Sequence, residues 1–391
     1  MWQLMIIFGL MKHYHYIFAG AGLASLMTVY RMATSGAFKD ESILLIDPDT
    51  KQANDRTWCF WQQGSSAWQS IVYRKWDTAV FANESFTTNL DFEGYRYNMI
   101  KGIDFYTFIF SELKKHPNIK FVNQKVVDFK DSGFNVLVKA EAESYTCNKL
   151  LNSIYNPALA ASQTKYPVLQ QHFIGWHVKT TIPVFNPVLP SFMDFSVAQR
   201  GNTRFMYVLP FSETEAIVEY TLFSKDLLPE AEYEDAIKEY LVTKGATEYE
   251  IVDKERGSIP MTSYPFWKNN SKNVLHIGSA GGWTKASTGY TFRNADKKSA
   301  QLASFLQKQD DFTRLYKKNK FWFYDLLLLD ILAKKNHKGS SIFSAMFKDG
   351  RAAHIFKFLD EETTFAQDLE VIWQCPKGLF ISALMQRILN M

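Results

Sequence analysis

A chain of 391 residues is more than one small core organises, and points to a large α/β domain with an inserted or appended second domain. A formal net charge of +4 is too small to argue for nucleic acid. The three scattered cysteines, Cys59, Cys147 and Cys375, supply neither a disulfide framework nor a metal cluster, which fits a reducing, cytoplasmic setting.

The first ten residues, MWQLMIIFGL, are apolar but lack a basic start and a small-residue cleavage site. They read as an early start ahead of Met11, or as a disordered or membrane-touching tail. From Tyr16 to Asp47 the pattern is strand, glycine turn, helix, strand, acid. Ile17 and Phe18 end an apolar run, Gly20, Gly22 and Ser25 give G-x-G-x-x-S, and Leu23, Leu26, Met27 and Tyr30 recur at helical spacing. Ile43 to Ile46 is a second apolar run, closed by Asp47. Gly20 permits the turn, Gly22 lets the backbone approach a pyrophosphate, and Ser25 is small enough for close helix–strand packing. The helix N-terminus offers free N–H groups, and Asp47 can accept from a ribose hydroxyl. This is a dinucleotide-binding unit, open at this point between NAD and FAD.

Around 55–61 the sequence becomes aromatic, DRTWCFW. Arg56 can contact a phosphate or a ring system while Trp58 and Phe60 line a pocket; equally, the loop can simply pack back on the core. Residues 71–98 alternate as β-structure, Asp104 to Lys115 reads as a helix, and 119–129, 134–140 and 150–155 read as strands. Residues 171–260 hold short β-like runs separated by Pro, Gly and Asn, the pattern of an antiparallel sheet. A hairpin joins Arg204 to Phe223 through a turn at 212–215, and 230–243 is an amphipathic helix. In the strand Ala216 to Phe223, period two puts Ile217, Glu219, Thr221 and Phe223 on one face. Glu219 is then either an ordinary surface charge or a lone carboxyl on an apolar face, costly unless paired or protonated.

The α/β texture returns with the strand NVLHIG at 273–278. A second glycine-rich turn follows, with Gly278, Gly281, Gly282, Thr288 and Gly289, and then a helix over 292–306. A second turn returning to the same nucleotide suits FAD, whose ring system lies far from its adenine end. The tail is helical and basic, with apolar clusters at 321–332 and at Ile342, Phe343, Met346 and Phe347. It suits either an anionic bilayer surface or helices closing the core. No stretch approaches the roughly 20 apolar residues of a membrane span.

The fold class expected is α/β: a Rossmann-type FAD-binding domain from 11–60, 99–165 and 269–307, an antiparallel β-sheet substrate domain from 61–98 and 166–268, and a helical C-terminal tail over 308–391.

The blocks GAGLASL, DRTWCFW, FIGWHV, MDFSV, FMYVLPFS with AIVEYTLFS, and IGSAGGWTKASTGYTF, in this order, resemble the bacterial lycopene β-cyclases. The resemblance implies a p-hydroxybenzoate hydroxylase-like fold and bound FAD, active in its reduced form with NAD(P)H as reductant. It implies closure of the acyclic ends of lycopene into β-ionone rings, through the monocyclic γ-carotene to β-carotene. That reaction has no net redox change; it needs an acid, a cation shielded from water, and a base. The resemblance gives Glu219 the role of acid and leaves Asp194 as a second acid or base. Trp58, Phe60, Trp176 and Tyr207 become the aromatic neighbours of the cation. No metal and no nucleic acid enter. A C40 hydrocarbon is drawn from a bilayer, so peripheral contact with the inner face of the cell membrane is expected. Two departures stand out: Ser279 occupies the place of a usual aspartate, and IVEYT replaces an acidic FLEET-type motif. Two rivals remain: a flavin monooxygenase or isoprenoid reductase that consumes NAD(P)H, and a carotenoid-binding flavoprotein without turnover.

Overall fold

The structure, a computed structural model, describes residues 11–316 and 318–389. The expectations for residues 1–10 lie outside the described residues. The strands in chain order are β1 (Lys12–Ala19), β2 (Ile43–Asp47), β3 (Thr57–Gln63), β4 (Arg74–Trp76), β5 (Thr78–Ala82) and β6 (Thr87–Asp91). Next come β7 (Tyr95–Lys101), β8 (Ile119–Asn123), β9 (Val126–Asp131), β10 (Val136–Ala140), β11 (Ser144–Asn152) and β12 (Leu169–Thr180). The last are β13 (Ser191–Asp194), β14 (Thr203–Pro210), β15 (Glu215–Ser224), β16 (Tyr249–Met261) and β17 (Val274–His276). The helices are α1 (Leu23–Thr34), α2 (Gly102–Leu113), α3 (Pro157–Ala161), α4 (Glu230–Thr243), α5 (Phe292–Leu306), α6 (Lys320–Lys334), α7 (Gly339–Phe347), α8 (Ala352–Leu359), α9 (Phe365–Gln374) and α10 (Lys377–Leu389).

The nucleotide-type sheet runs β8-β2-β1-β11-β10-β9, with β17 also on β11. Its β8, β2, β1, β11 and β17 are parallel, which is why β1 and β2 read as unbroken apolar runs: helices or further strands cover both faces. The run 119–129, expected as one strand, is two. β8 pairs parallel with β2 while β9 pairs antiparallel with β10 at the opposite margin, so the chain must break between them.

The second sheet runs β16-β12-β15-β14-β13-β5-β6 and is antiparallel except for β13 against β5. Alternation divides its faces. Ile174, Trp176, Val208, Val218 and Tyr220 pack under α4 with Ile237 and Leu241. Phe205, Leu209, Ile217 and Phe223 face the other way, toward α6, α7 and α8. A small sheet, β3-β7-β4, closes one side.

The basic tail does not present its apolar clusters to solvent. Leu327 to Leu329, Ile331, Leu332, Ile342, Phe343 and Phe347 are all buried against the second sheet, which favours the core-closing reading. Each such side chain contributes about 1.5–3 kcal/mol by leaving water. The exposed apolar residues lie further on, Phe365, Leu369 and Trp373 on α9, and Ile381, Met385 and Ile388 on α10. Among the described residues no helix is long and apolar enough to cross a membrane.

Candidate active site

A cavity of about 880 Å³ joins the two glycine turns to the second sheet and the C-terminal helices. At one end it is lined by Gly22, Leu23, Ala24, Gly278 and Ser279, at the other by Ile372, Phe380 and Leu384.

The nucleotide end is built by backbone. Gly20 holds a left-handed φ of 89°, and a Cβ there would run into the Ser153 hydroxyl. Gly22 precedes α1, which has no side-chain cap, so the first N–H groups of that helix are left to the cavity. Asp47 fixes this turn: its carboxylate accepts the Ala21 N–H at 2.6 Å and the Asp49 N–H at 2.8 Å, with the Lys51 ammonium 3.4 Å away. It is buried behind the turn and does not line the cavity, nor does Ser25, while Arg56 does, paired with Asp55 at 3.2 Å. In the second turn Gly278, Thr288 and Gly289 line the cavity. Gly281 and Gly282 sit behind them, against the His276 backbone and the Phe266 ring. Thr288 Oγ1 and the neighbouring Gln171 Oε1 are shielded atoms with no hydrogen-bond partner among the described residues.

The middle of the cavity is one row across the second sheet. Glu255 on β16, Gly175 on β12, Glu219 on β15 and Tyr207 on β14 stand opposite one another in register. All but Gly175 are among the lining residues. Glu219 is 8% exposed, so it is not a surface charge. The Thr221 hydroxyl donates to its carboxylate in a short hydrogen bond. Burial, then the charge of Glu255, pushes Glu219 up to about 8, with Thr221 pulling the other way. Glu255 is likewise raised, by burial first and by Asp253 after it, against a hydrogen bond from Thr57.

Beside the row, Tyr97, Tyr207 and Tyr290 join their hydroxyls, 2.6 Å between Tyr97 and Tyr207 and 3.2 Å between Tyr97 and Tyr290. The Cys59 thiol among them is pushed up to about 12, mainly by burial. Trp58 lines the cavity, edge-on to Phe105 and Tyr106. Phe60 does not; it stacks on Phe292 at 4.2 Å one layer back. Trp176 points to the opposite face of the sheet, beneath Lys254, because its neighbour Gly175 takes the cavity side. Asp194 is also absent from the lining: it accepts the Tyr240 hydroxyl at 2.9 Å and the Ser196 N–H at 3.0 Å. The structure therefore brings together Glu219, Tyr207, Trp58, Arg56 and parts of both glycine turns, and leaves Asp194, Trp176 and Phe60 outside. Glu255, Tyr97 and Tyr290 were not singled out in the sequence. Among the described residues no cluster could hold a metal ion.

This architecture is shared with solved proteins described as a reductase-like protein, a flavoprotein/dehydrogenase and a monooxygenase. Over 96% of its length the chain superposes on all of a geranylgeranyl bacteriochlorophyll reductase-like protein from Thermoplasma acidophilum, at 11% identity and a TM-score of 0.62. A flavoprotein/dehydrogenase from Cytophaga hutchinsonii matches 96% of this chain with all of its own, at 12% identity and a TM-score of 0.59. A p-nitrophenol 4-monooxygenase from Pseudomonas putida DLL-E4 matches 95% of this chain with 98% of its own, at 12% identity and a TM-score of 0.58. Residues 16–385 carry the signature described as lycopene cyclase protein, and the chain belongs to that family. A lycopene beta-cyclase of Paracoccus sp. (strain N81106 / MBIC 01143) is 33% identical over 127 residues, 31% of this chain. The alignment spans 32% of that relative's length.

Proposed function

We propose that the protein cyclises the acyclic ends of lycopene to β-ionone rings, giving γ-carotene and then β-carotene without net redox change, with FAD seated between the two glycine turns. The observation that carries this reading is Glu219. It is a buried carboxyl, held toward its neutral form, at the middle of a long apolar cavity that is continuous with a nucleotide cradle.

The cradle fits FAD: the uncapped start of α1 suits a diphosphate, and Thr288 and Gln171, both lining the cavity at the second glycine turn, each keep a polar atom without a hydrogen-bond partner among the described residues. When bound in its reduced, anionic form, FAD would supply negative charge that stabilises a cation, with NAD(P)H needed only to keep it reduced. The chain's own residues do the rest. Glu219 gives its proton to the terminal alkene, a step that requires a carboxyl still protonated near neutral pH. Phe173, Phe205, Leu209 and Phe223 keep water from the cation. Trp58, Tyr97, Tyr207 and Tyr290 present electron-rich rings or oxygens to it. At the far end, the exposed apolar residues of α9 and α10 continue from the cavity-lining Ile372, Phe380 and Leu384, and suit peripheral contact with the membrane that supplies the substrate.

The test is expression in a lycopene-accumulating bacterium followed by pigment chromatography. Cyclic carotenes support the reading, and pigment that stays acyclic overturns it. NAD(P)H consumed one for one with product would instead mark a monooxygenase or reductase. Lycopene bound and left unchanged would mark a carrier.

A further inference from the structure

Resting on the cyclase reading, we propose that Glu255 is the base of the reaction, and that Glu219 and Glu255 form a carboxyl pair that exchanges one proton across Gly175. The two glutamates come from β15 and β16, the strands on either side of β12, and both stand opposite Gly175. Strands two apart in a sheet lie roughly 9.5 Å from each other. Here the side chains lean together over the missing side chain. A Cβ on Gly175 would lie 3.2 Å from Glu255 Cγ and 3.5 Å from Glu219 Cγ. Any larger residue would stand between the carboxyls. Both line the cavity, both are raised with burial as the first cause, and at Glu219 the charge of Glu255 is the second.

The chemistry needs such a pair. Glu219 donates its proton to C2 of the terminal alkene, leaving a cation at C1. The C5=C6 electron pair closes the C1–C6 bond and moves the cation to C5. The C6–H proton then passes to the Glu255 carboxylate, and its bonding pair forms the ring double bond. Nothing is oxidised or reduced. C2 and C6 are both bonded to C1, so the acid and the base must serve adjacent points of one ring. After each turnover the proton sits on Glu255 and returns to Glu219 over Gly175, ready for the second end.

The experiment compares Glu255→Gln with Glu219→Gln, using lycopene as substrate and resolving the ring isomers. Loss of the base should slow cyclisation about 10²-fold. It should also divert proton loss from C6 to C4 or to the C5 methyl, so that ε- and γ-type rings appear beside β-type rings. Loss of the acid should slow the reaction without changing the isomer ratio. Glu255→Asp, which keeps the carboxylate, should recover mainly β-type rings, and it replaces Gln as the variant read should Gln fail to accumulate folded. A Glu255→Gln protein with the wild-type rate, or a slowed one yielding only β-type rings, overturns the proposal. So does Glu255→Asp yielding the same isomer mixture as Gln. Wild-type protein that forms no ring at all refutes the cyclase reading instead, so the two failures are distinct.

Discussion

Glu219→Gln should change the pH dependence of stability as well as the rate. At pH values below the ordinary glutamate value of 4.5, the wild-type carboxyl is protonated whether the chain is folded or not. Between 4.5 and about 8 the unfolded chain has released a proton that the folded protein still holds, so stability falls as pH rises, and the fall is complete above about 8. Each pKa unit is worth about 1.4 kcal/mol, so full ionisation costs the folded protein several kcal/mol. Part of that belongs to repulsion from Glu255, the second cause of the shift. Glutamine keeps an oxygen for the Thr221 hydroxyl and carries no charge to ionise. The variant should therefore match or fall below wild type near about pH 4 and exceed it by several kcal/mol near about pH 9. Denaturant unfolding of both proteins at the two pH values measures this. In the same preparations cyclisation should drop about 10²-fold or more, with flavin content unchanged. Glu219→Asp should fall between, and Glu215→Gln, at the strand end where Glu215 meets His177, should be nearly silent. Stability differences that do not vary with pH would refute the buried, neutral carboxyl, and wild-type turnover would refute its role as acid.

Gly20→Ala forces a side chain into a left-handed turn and against Ser153. Purified protein should lose its flavin absorbance, and full retention would refute the cradle. Lys285 stands 3.1 Å from both Asp325 and Glu361, tying the second glycine turn to the tail. Lys285→Met leaves two carboxylates without their shared cation and should destabilise by about 3–5 kcal/mol in urea; an unchanged midpoint would show the network to be dispensable. Replacing Trp373 and Met385 together by Ser should weaken sedimentation with anionic vesicles while sparing turnover of detergent-dispersed lycopene. Vesicle binding equal to wild type would move the membrane contact elsewhere.

The elements that sequence exposed best are those whose pattern has one cause. Ile43 to Asp47 is a strand buried on both faces, and the helices over 230–243 and 292–306 show one apolar stripe each. Where two causes compete, pattern fails. Residues 119–129 look like one strand, yet two different partners divide them. The apolar stretch 321–332 beside basic residues looked equally suited to a bilayer or to a core. Only packing separates these, and here Leu328, Leu329 and Leu332 meet the second sheet. Asp47 shows the same limit at one residue: the position after β2 is readable, but not that its oxygens already hold the turn at Ala21.

The site divides along the same line. Period two puts Glu219 on one face with Ile217, Thr221 and Phe223 but leaves it open between a surface charge and a buried carboxyl, and the family resemblance makes it the acid. Glu255 is not singled out, because the stretch it stands in, DKER, is charged at every position and carries no period-two signal for β16. What selects it is register: β16 is placed so that Glu255, rather than Asp253 or Gly257, stands opposite Gly175. Trp176 and Asp194 make the converse case. Each has the right chemistry, but the parity of β12 sends Trp176 to the α4 side, and the Tyr240 hydroxyl takes up Asp194 there. A one-residue shift of β16 would turn Glu255 away from Glu219 and put Lys254 or Arg256 in its place. The carboxyl pair is therefore a property of three strands in register, and Gly175 is the residue where that register becomes chemistry.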